Sequence, residues 1–247
     1  LQVLPVLLKK QNCALHSMTL RVLGGESQIE SQVSDLLANA NPTAAIYCKT
    51  GECEIRITAK AADDAAAQAM CRDYSRNFYS RLGTSIYDAD VPGLEYTVVH
   101  ALQQRGLTVA TAESLTGGLI AATFIENPGA SCAVNESYVT YAPEAKMRIL
   151  GVARETVETV GVVSADCARQ MAAGARRISG ADWGVSATGL AGPDGGTAET
   201  PVGTVFIGVA NKMTARAFEF HFEGMDRGAV RRAAVNAAFE KLIECMQ

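Results

Sequence analysis

The segment TAESLTGG, Thr111 to Gly118, brings a strand-like run to a serine and follows it at once with two glycines and an apolar stretch. A sharp turn of this kind exposes a hydroxyl beside unpaired backbone N–H groups, which is what acyl-transfer chemistry requires. Serine is also a good helix N-cap, and Glu113-Ser114 could do no more than start the helix that follows. The Gly117-Gly118 pair argues for more. Glycine in a first helical turn costs roughly 1 kcal/mol per residue, so something is expected to approach the backbone there, an oxyanion or phosphate being the natural occupant.

Two downstream segments could serve this serine. In YVTYAPEAKMRILGV, Tyr138 to Val152, Lys146 lies five residues after Tyr141 at a strand-to-helix transition. His16, His100 and His221 are not placed as a general base, so a Ser-His-Asp triad is not indicated. A lysine whose pKa is lowered by burial can take the serine proton instead. The competing reading makes Lys146 a solvated lysine and Tyr141 a core aromatic. The loop TGLAGPDGGTAETPVGT, Thr188 to Thr204, matches neither the Walker pattern nor the dinucleotide fingerprint, yet could cradle a single phosphate with backbone amides. Arg227, Arg231 and Arg232 could pair with a phosphate or carboxylate, or form a solvated face.

The elements that must hold these residues fall into two halves. Residues 1–90 read as a small α/β unit: a strand at Met18 to Gly24, a helix at Glu26 to Ala40, a hairpin of AAIYC and ECEIRITA, and a helix at Ala61 to Gly83. DADVPG, Asp88 to Gly93, is the expected boundary, and 18 of the 22 glycines lie from Gly93 onward, where tight turns and sites are built. Residues 91–247 alternate helix and strand. Helices are expected at Leu94 to Gly106, Gly118 to Gly129, Ser164 to Gly180 and Arg227 to Met246. Strands are expected at Leu107 to Thr111, Glu136 to Ala142, WGVSATG, GTVFIGVA and ARAFEFHF, giving an α/β sandwich with a mixed sheet.

Composition narrows the function classes. Of 247 residues, 48% are hydrophobic and 19% charged, and the net charge of −4 offers no basic half for nucleic acid. The seven cysteines are odd in number and irregularly spaced, as expected of thiols in a reducing, cytoplasmic setting. Cys48 and Cys53 could nevertheless face each other across a turn. No apolar run approaches the roughly 20 residues of a membrane span, and no metal-ligand spacing is present. The chain begins on leucine, so upstream sequence is expected.

Taken together, TAESLTGG, YAPEAKMRILGV, GVVSADCARQMAAGARR, ATGLAGPDGGTAETPVGTVFIGVA and RGAVRR resemble the C-terminal domain of the CinA (competence/damage-inducible) family over about residues 92–247. Residues 14–88 resemble that family's small KH-like α+β domain, and its N-terminal molybdopterin-binding-like domain is absent from this sequence. The resemblance implies a three-layer α/β sandwich after the KH-like domain, a dimer, no cofactor or metal, and deamidation of nicotinamide mononucleotide (NMN) to nicotinic acid mononucleotide and ammonia. By analogy Ser114 attacks the amide, Lys146 moves its proton, and Tyr141 orients or relays. Backbone N–H groups near Thr116, Gly117 and Gly118 hold the oxyanion. Glu113, Thr188, Gly189, Gly192, Gly195, Gly196, Thr197 and Arg227 complete the expected substrate-binding set.

This sequence departs from the family pattern in three places. Tyr141-Ala142-Pro143 replaces the common Tyr-Ser-Asn, Thr200 stands where a lysine is usual, and Phe222 to Arg227 is one residue longer. Pro143 removes a backbone donor close to Lys146, which could alter how that lysine is presented. The alternative class is a nucleotide-binding or assembly module whose site has drifted out of activity. An RNA-binding role for the first half lacks the Gly-x-x-Gly loop it would need.

Overall fold

The computed structural model describes residues 13–49 and 52–246, and the chain divides between Leu94 and Glu95 into two compact units. In the first unit, strands β1 (Ala14–Leu23), β2 (Thr43–Lys49), β3 (Glu52–Ala61) and β4 (Ile86–Ala89) form an antiparallel sheet in the order β2-β3-β1-β4. Alternation along β3 buries Cys53, Ile55, Ile57 and Ala59. They pack with Ile29, Val33 and Leu36 of helix α1 (Glu26–Leu37) and with Ala67, Cys71, Phe78 and Leu82 of α2 (Asp64–Leu82). The Asp63 carboxylate accepts from the Ala66 N–H and starts α2, and Gly83, whose N–H donates to the Tyr79 carbonyl, follows its end.

Strand β4 was not expected from the sequence. It runs from Ile86 into the first two residues of the expected boundary, and four residues are too few to display an alternation. Cys48 and Cys53 face each other in register with sulfurs 3.0 Å apart, both as thiols, and burial pushes the Cys53 thiol up to about 12. The tip of that turn, residues 50–51, lies outside the described residues.

The second unit holds a five-stranded mixed sheet in the order β6-β5-β7-β8-β9. Its strands are β5 (Val109–Glu113), β6 (Val134–Val139), β7 (Trp183–Gly189), β8 (Thr204–Ala210) and β9 (Ala215–His221). β5 runs parallel to both neighbours, while β8 and β9 continue antiparallel. The helices are α3 (Leu94–Arg105), α4 (Leu119–Ile125), α5 (Ala165–Ser179) and α6 (Arg227–Met246), making three layers around the sheet.

Small residues let α5 lie close on the sheet: a methyl group added at Gly184 would meet the Ala172 carbonyl oxygen at 2.1 Å. α6 buries Val230, Ala234, Ala238 and Leu242, and its Phe239 ring sits 4.4 Å from that of Phe124 in α4. Because β6 and β7 flank β5 on opposite sides, the carboxyl end of β5 is a topological switch point, where α/β sheets place their sites.

Candidate active site

Ser114 follows the last residue of β5 and is held there from both sides. Its N–H donates to the Ala187 carbonyl (3.0 Å), and the Thr140 N–H donates to the Glu113 carbonyl (2.9 Å). The serine does not cap a helix. α4 begins only at Leu119, after Gly117 and Gly118 at φ +60° and +97°. Those two glycines are therefore explained by left-handed backbone rather than by a ligand pressing on the chain.

The orphan N–H groups of α4 are taken by the chain itself. The fully buried Glu113 carboxylate accepts from Gly118 (2.8 Å), Ile120 (3.1 Å) and Ala121 (2.9 Å), with the Thr111 hydroxyl 3.3 Å away. This corrects two expectations: Glu113 is not positioned to bind substrate, and the start of α4 is not an open anion site. It also revises the expected oxyanion donors. The Gly117 N–H donates to the Ser114 carbonyl at 3.1 Å and the Gly118 N–H to Glu113 at 2.8 Å, leaving the N–H groups of Leu115 and Thr116 without an acceptor among the described residues.

Lys146 reaches the serine from a helical turn, Pro143–Ala145, that passes into a π-helical turn, Lys146–Leu150. Pro143 occupies the start of that turn, where its missing N–H is no loss. The Lys146 and Ala145 N–H groups both reach the Ala142 carbonyl, at 3.3 and 3.1 Å, so the departure from the family pattern is accommodated. Lys146 is 1% exposed, and its amine lies 2.9 Å from Ser114 Oγ. It donates to the main-chain carbonyls of Thr140 (2.6 Å) and Tyr141 (3.3 Å).

Burial lowers the Lys146 pKa from its ordinary 10.5, outweighing the opposite influence of the nearby Cys167 thiol. That thiol, itself pushed up to about 11 by burial, stays neutral. A neutral Lys146 amine has two N–H bonds for the two carbonyls and a lone pair for the serine proton. Tyr141 contributes its carbonyl here, while its ring is 65% exposed. Among the described residues, the buried side-chain polar atoms without a hydrogen-bond partner are Thr116 Oγ1 and Thr140 Oγ1, which belong to the segments carrying Ser114 and Lys146.

The first turn of α6 ties the glycine-rich loop to the serine turn. Arg227 Nη1 donates to the Gly192 carbonyl (2.7 Å), and one turn later Arg231 donates to the carbonyls of Leu115 (2.9 Å) and Thr116 (2.8 Å). Asp226 starts this helix by accepting from the Ala229 N–H (2.8 Å). Thr188 corrects another expectation: it is buried and its hydroxyl donates to the Val162 carbonyl (2.7 Å). Gly189 lies in β7, where a methyl group would meet the Thr204 carbonyl oxygen at 2.6 Å, so it serves strand packing. Gly195, Gly196 and Thr197 are exposed in the loop, and Thr197 Oγ1 accepts from the Thr200 N–H at 3.0 Å.

Among the described residues no cluster of three or more His, Cys, Asp or Glu could hold a metal, and no helix is long and apolar enough to cross a membrane. A cavity of about 670 Å³ lined by residues such as Ile125, Asn127 and Val134 sits by the amino end of β6, away from the carboxyl end of β5 where Ser114 lies.

The fold and this constellation define an α/β sandwich with a serine–lysine pair at the switch point of a mixed sheet. Residues 92–246 match the CinA C-terminal domain and residues 17–87 the damage-inducible protein CinA KH domain, so the chain belongs to the CinA family. It is similar to a competence-damage inducible protein of Clostridium novyi, 42% identical over 97% of this chain and 58% of that protein. A CinA-like protein of Kosmotoga olearia is 40% identical over 96% of this chain and 58% of its own length. The chain thus spans under two thirds of these curated relatives. Among solved structures, a competence/damage inducible protein from Agrobacterium tumefaciens covers 62% of this chain and 94% of its own, with 41% identity and a TM-score of 0.61. A CinA superfamily protein from Klebsiella pneumoniae is 35% identical with a TM-score of 0.59, covering 61% of this chain and 94% of its own.

Proposed function

We propose that the second unit is an amidohydrolase acting on a nucleotide carboxamide, and that NMN is the substrate. The observation that carries the reaction class is the Lys146 amine, buried, lowered in pKa and 2.9 Å from Ser114 Oγ. The substrate rests on the family resemblance. Ser114 Oγ attacks the amide carbon as its proton passes to Lys146. The tetrahedral oxyanion is met by the Thr116 and Leu115 N–H groups. Lys146 returns the proton to the departing nitrogen, ammonia leaves, and water attacks the acyl-serine by the reverse proton path, freeing the carboxylate.

Tyr141 orients Lys146 through its carbonyl. The loop containing Gly192, Gly195, Gly196 and Thr197, with Arg227 behind it, faces ribose or phosphate. The dimer and the cytoplasmic setting belong to the same reading. Catalysis is favoured over a drifted binding module because a lysine retained only for binding has no need of burial against a serine.

The test is ammonia release from NMN by the purified chain beside Ser114→Ala and Lys146→Met. Both variants are expected to lose turnover by on the order of 10³-fold or more while remaining folded. Full activity in Ser114→Ala removes serine from the mechanism. NMN binding without turnover in the parent supports the drifted module.

A further inference from the structure

The serine turn is gripped by a side chain 116 residues away, Arg231 of the RGAVRR segment. Arg231 Nε donates to the Leu115 carbonyl at 2.9 Å and Arg231 Nη2 to the Thr116 carbonyl at 2.8 Å. These carbonyls belong to the peptide groups that carry the Thr116 and Gly117 N–H bonds. In a trans peptide the C=O and N–H point in opposite directions, so drawing the Leu115 oxygen toward the guanidinium turns the Thr116 N–H away from it. The Gly117 N–H already donates to the Ser114 carbonyl, and the Gly118 N–H to Glu113. The Thr116 N–H is therefore the donor whose direction Arg231 sets without competition from the turn.

We propose that Arg231 is a positioning residue that aims the Thr116 N–H at the oxyanion formed when Ser114 attacks. This rests on Ser114 being an acyl-transfer nucleophile. The planar fork of a guanidinium spans two successive carbonyls at fixed spacing, and its charge polarises both peptide groups, sharpening their N–H donors. A lysine offers a point charge and no fork. Arg231 also lies close to Gly117, where an added methyl group would meet Nη2 at 3.3 Å, so the guanidinium packs directly on the left-handed part of the turn. Arg231 touches no reacting atom, so its effect belongs in the rate of the chemical step rather than in substrate affinity.

The experiment compares the full chain with Arg231→Lys and Arg231→Ala in two assays. One is NMN turnover, read as kcat and KM. The other is the rate at which an alkyl fluorophosphonate labels Ser114, which needs the same N–H donors but no nicotinamide, ribose or phosphate. Both variants are expected to lose about 10- to 100-fold in kcat with KM changed by less than about threefold, and to lose labelling rate by a similar factor. Added guanidinium ion restores part of both rates in Arg231→Ala, which a variant that merely fails to fold would not show.

Arg231→Lys with kcat unchanged overturns the proposal, as does a loss confined to KM with labelling unaffected. If the parent labels at Ser114 but releases no ammonia from NMN, the amidase reading fails while slower labelling of the variants still supports Arg231. If the parent neither labels nor turns over, both fall together.

Discussion

A lysine buried beside a serine couples the protein's stability and its chemistry to the same proton. In the unfolded chain Lys146 titrates near 10.5, and in the fold burial lowers that value. Between the two values the unfolded chain holds a proton that the folded chain has released, so stability rises with pH across that window. Below the lowered value both states are protonated, and the cost of burying an ammonium is fully present. Lys146→Met keeps the length and removes the charge, so its unfolding free energy is expected to lose this pH dependence and to match or exceed the parent's at neutral pH. Urea melts of parent and variant at several pH values check this. The same titration predicts that the parent's kcat/KM climbs with pH along an acid limb whose midpoint lies below 10.5, since only the neutral amine can accept the serine proton. A flat profile would separate Lys146 from the base role.

At the scale of elements, the serine turn is shaped by what closes it. The Glu113 carboxylate accepts from three backbone N–H groups at the start of α4, a task usually given to a residue just before the helix rather than to the last residue of the preceding strand. Glu113→Gln preserves shape but turns an amide NH₂ toward donors. It is expected to cost roughly 2–3 kcal/mol in chemical denaturation and to lower kcat through a loosened Ser114. Unchanged stability would mean that the carboxylate does not hold α4.

The sequence displayed much of this arrangement. The strand leading to a serine, the lysine five residues beyond Tyr141, the helix beginning at Ser164 and the long last helix were all readable from local pattern. What it hid has a common physical form. Glu113 beside a Gly-Gly pair reads like any acidic residue near a helix start, and only the +97° φ of Gly118 turns the N–H groups back toward it. The burial of Lys146 depends on the π-helical turn and on α5 lying behind it, neither of which has a local signature. Thr188, conspicuous at the head of a glycine loop, donates to a carbonyl 26 residues upstream. Pairings across such separations leave no periodicity to read.

At the scale of the molecule, every residue of the candidate site lies on the carboxyl side of the division at Leu94/Glu95. The solved relative from Agrobacterium tumefaciens, which covers 62% of this chain and 94% of its own, is a chain of about that extent. A fragment of residues 92–247 is therefore expected to fold alone and to keep kcat/KM for NMN within about twofold of the full chain. A larger loss would assign the first unit a part in the reaction.

The grip of α6 on the serine turn also sets a timetable. Ser114 and Lys146 leave the ribosome well before Arg231, and the far end of α6 must still arrive for the Met246 carbonyl to meet Arg105 of α3. A nascent chain emerged only through β9 carries Ser114 and Lys146 on a turn that Arg231 does not yet grip. On the proposed function, full alignment of the serine turn waits during synthesis until the last described helix has docked, and a ribosome stalled short of it releases a chain that has Ser114 and Lys146 but lacks the clamp.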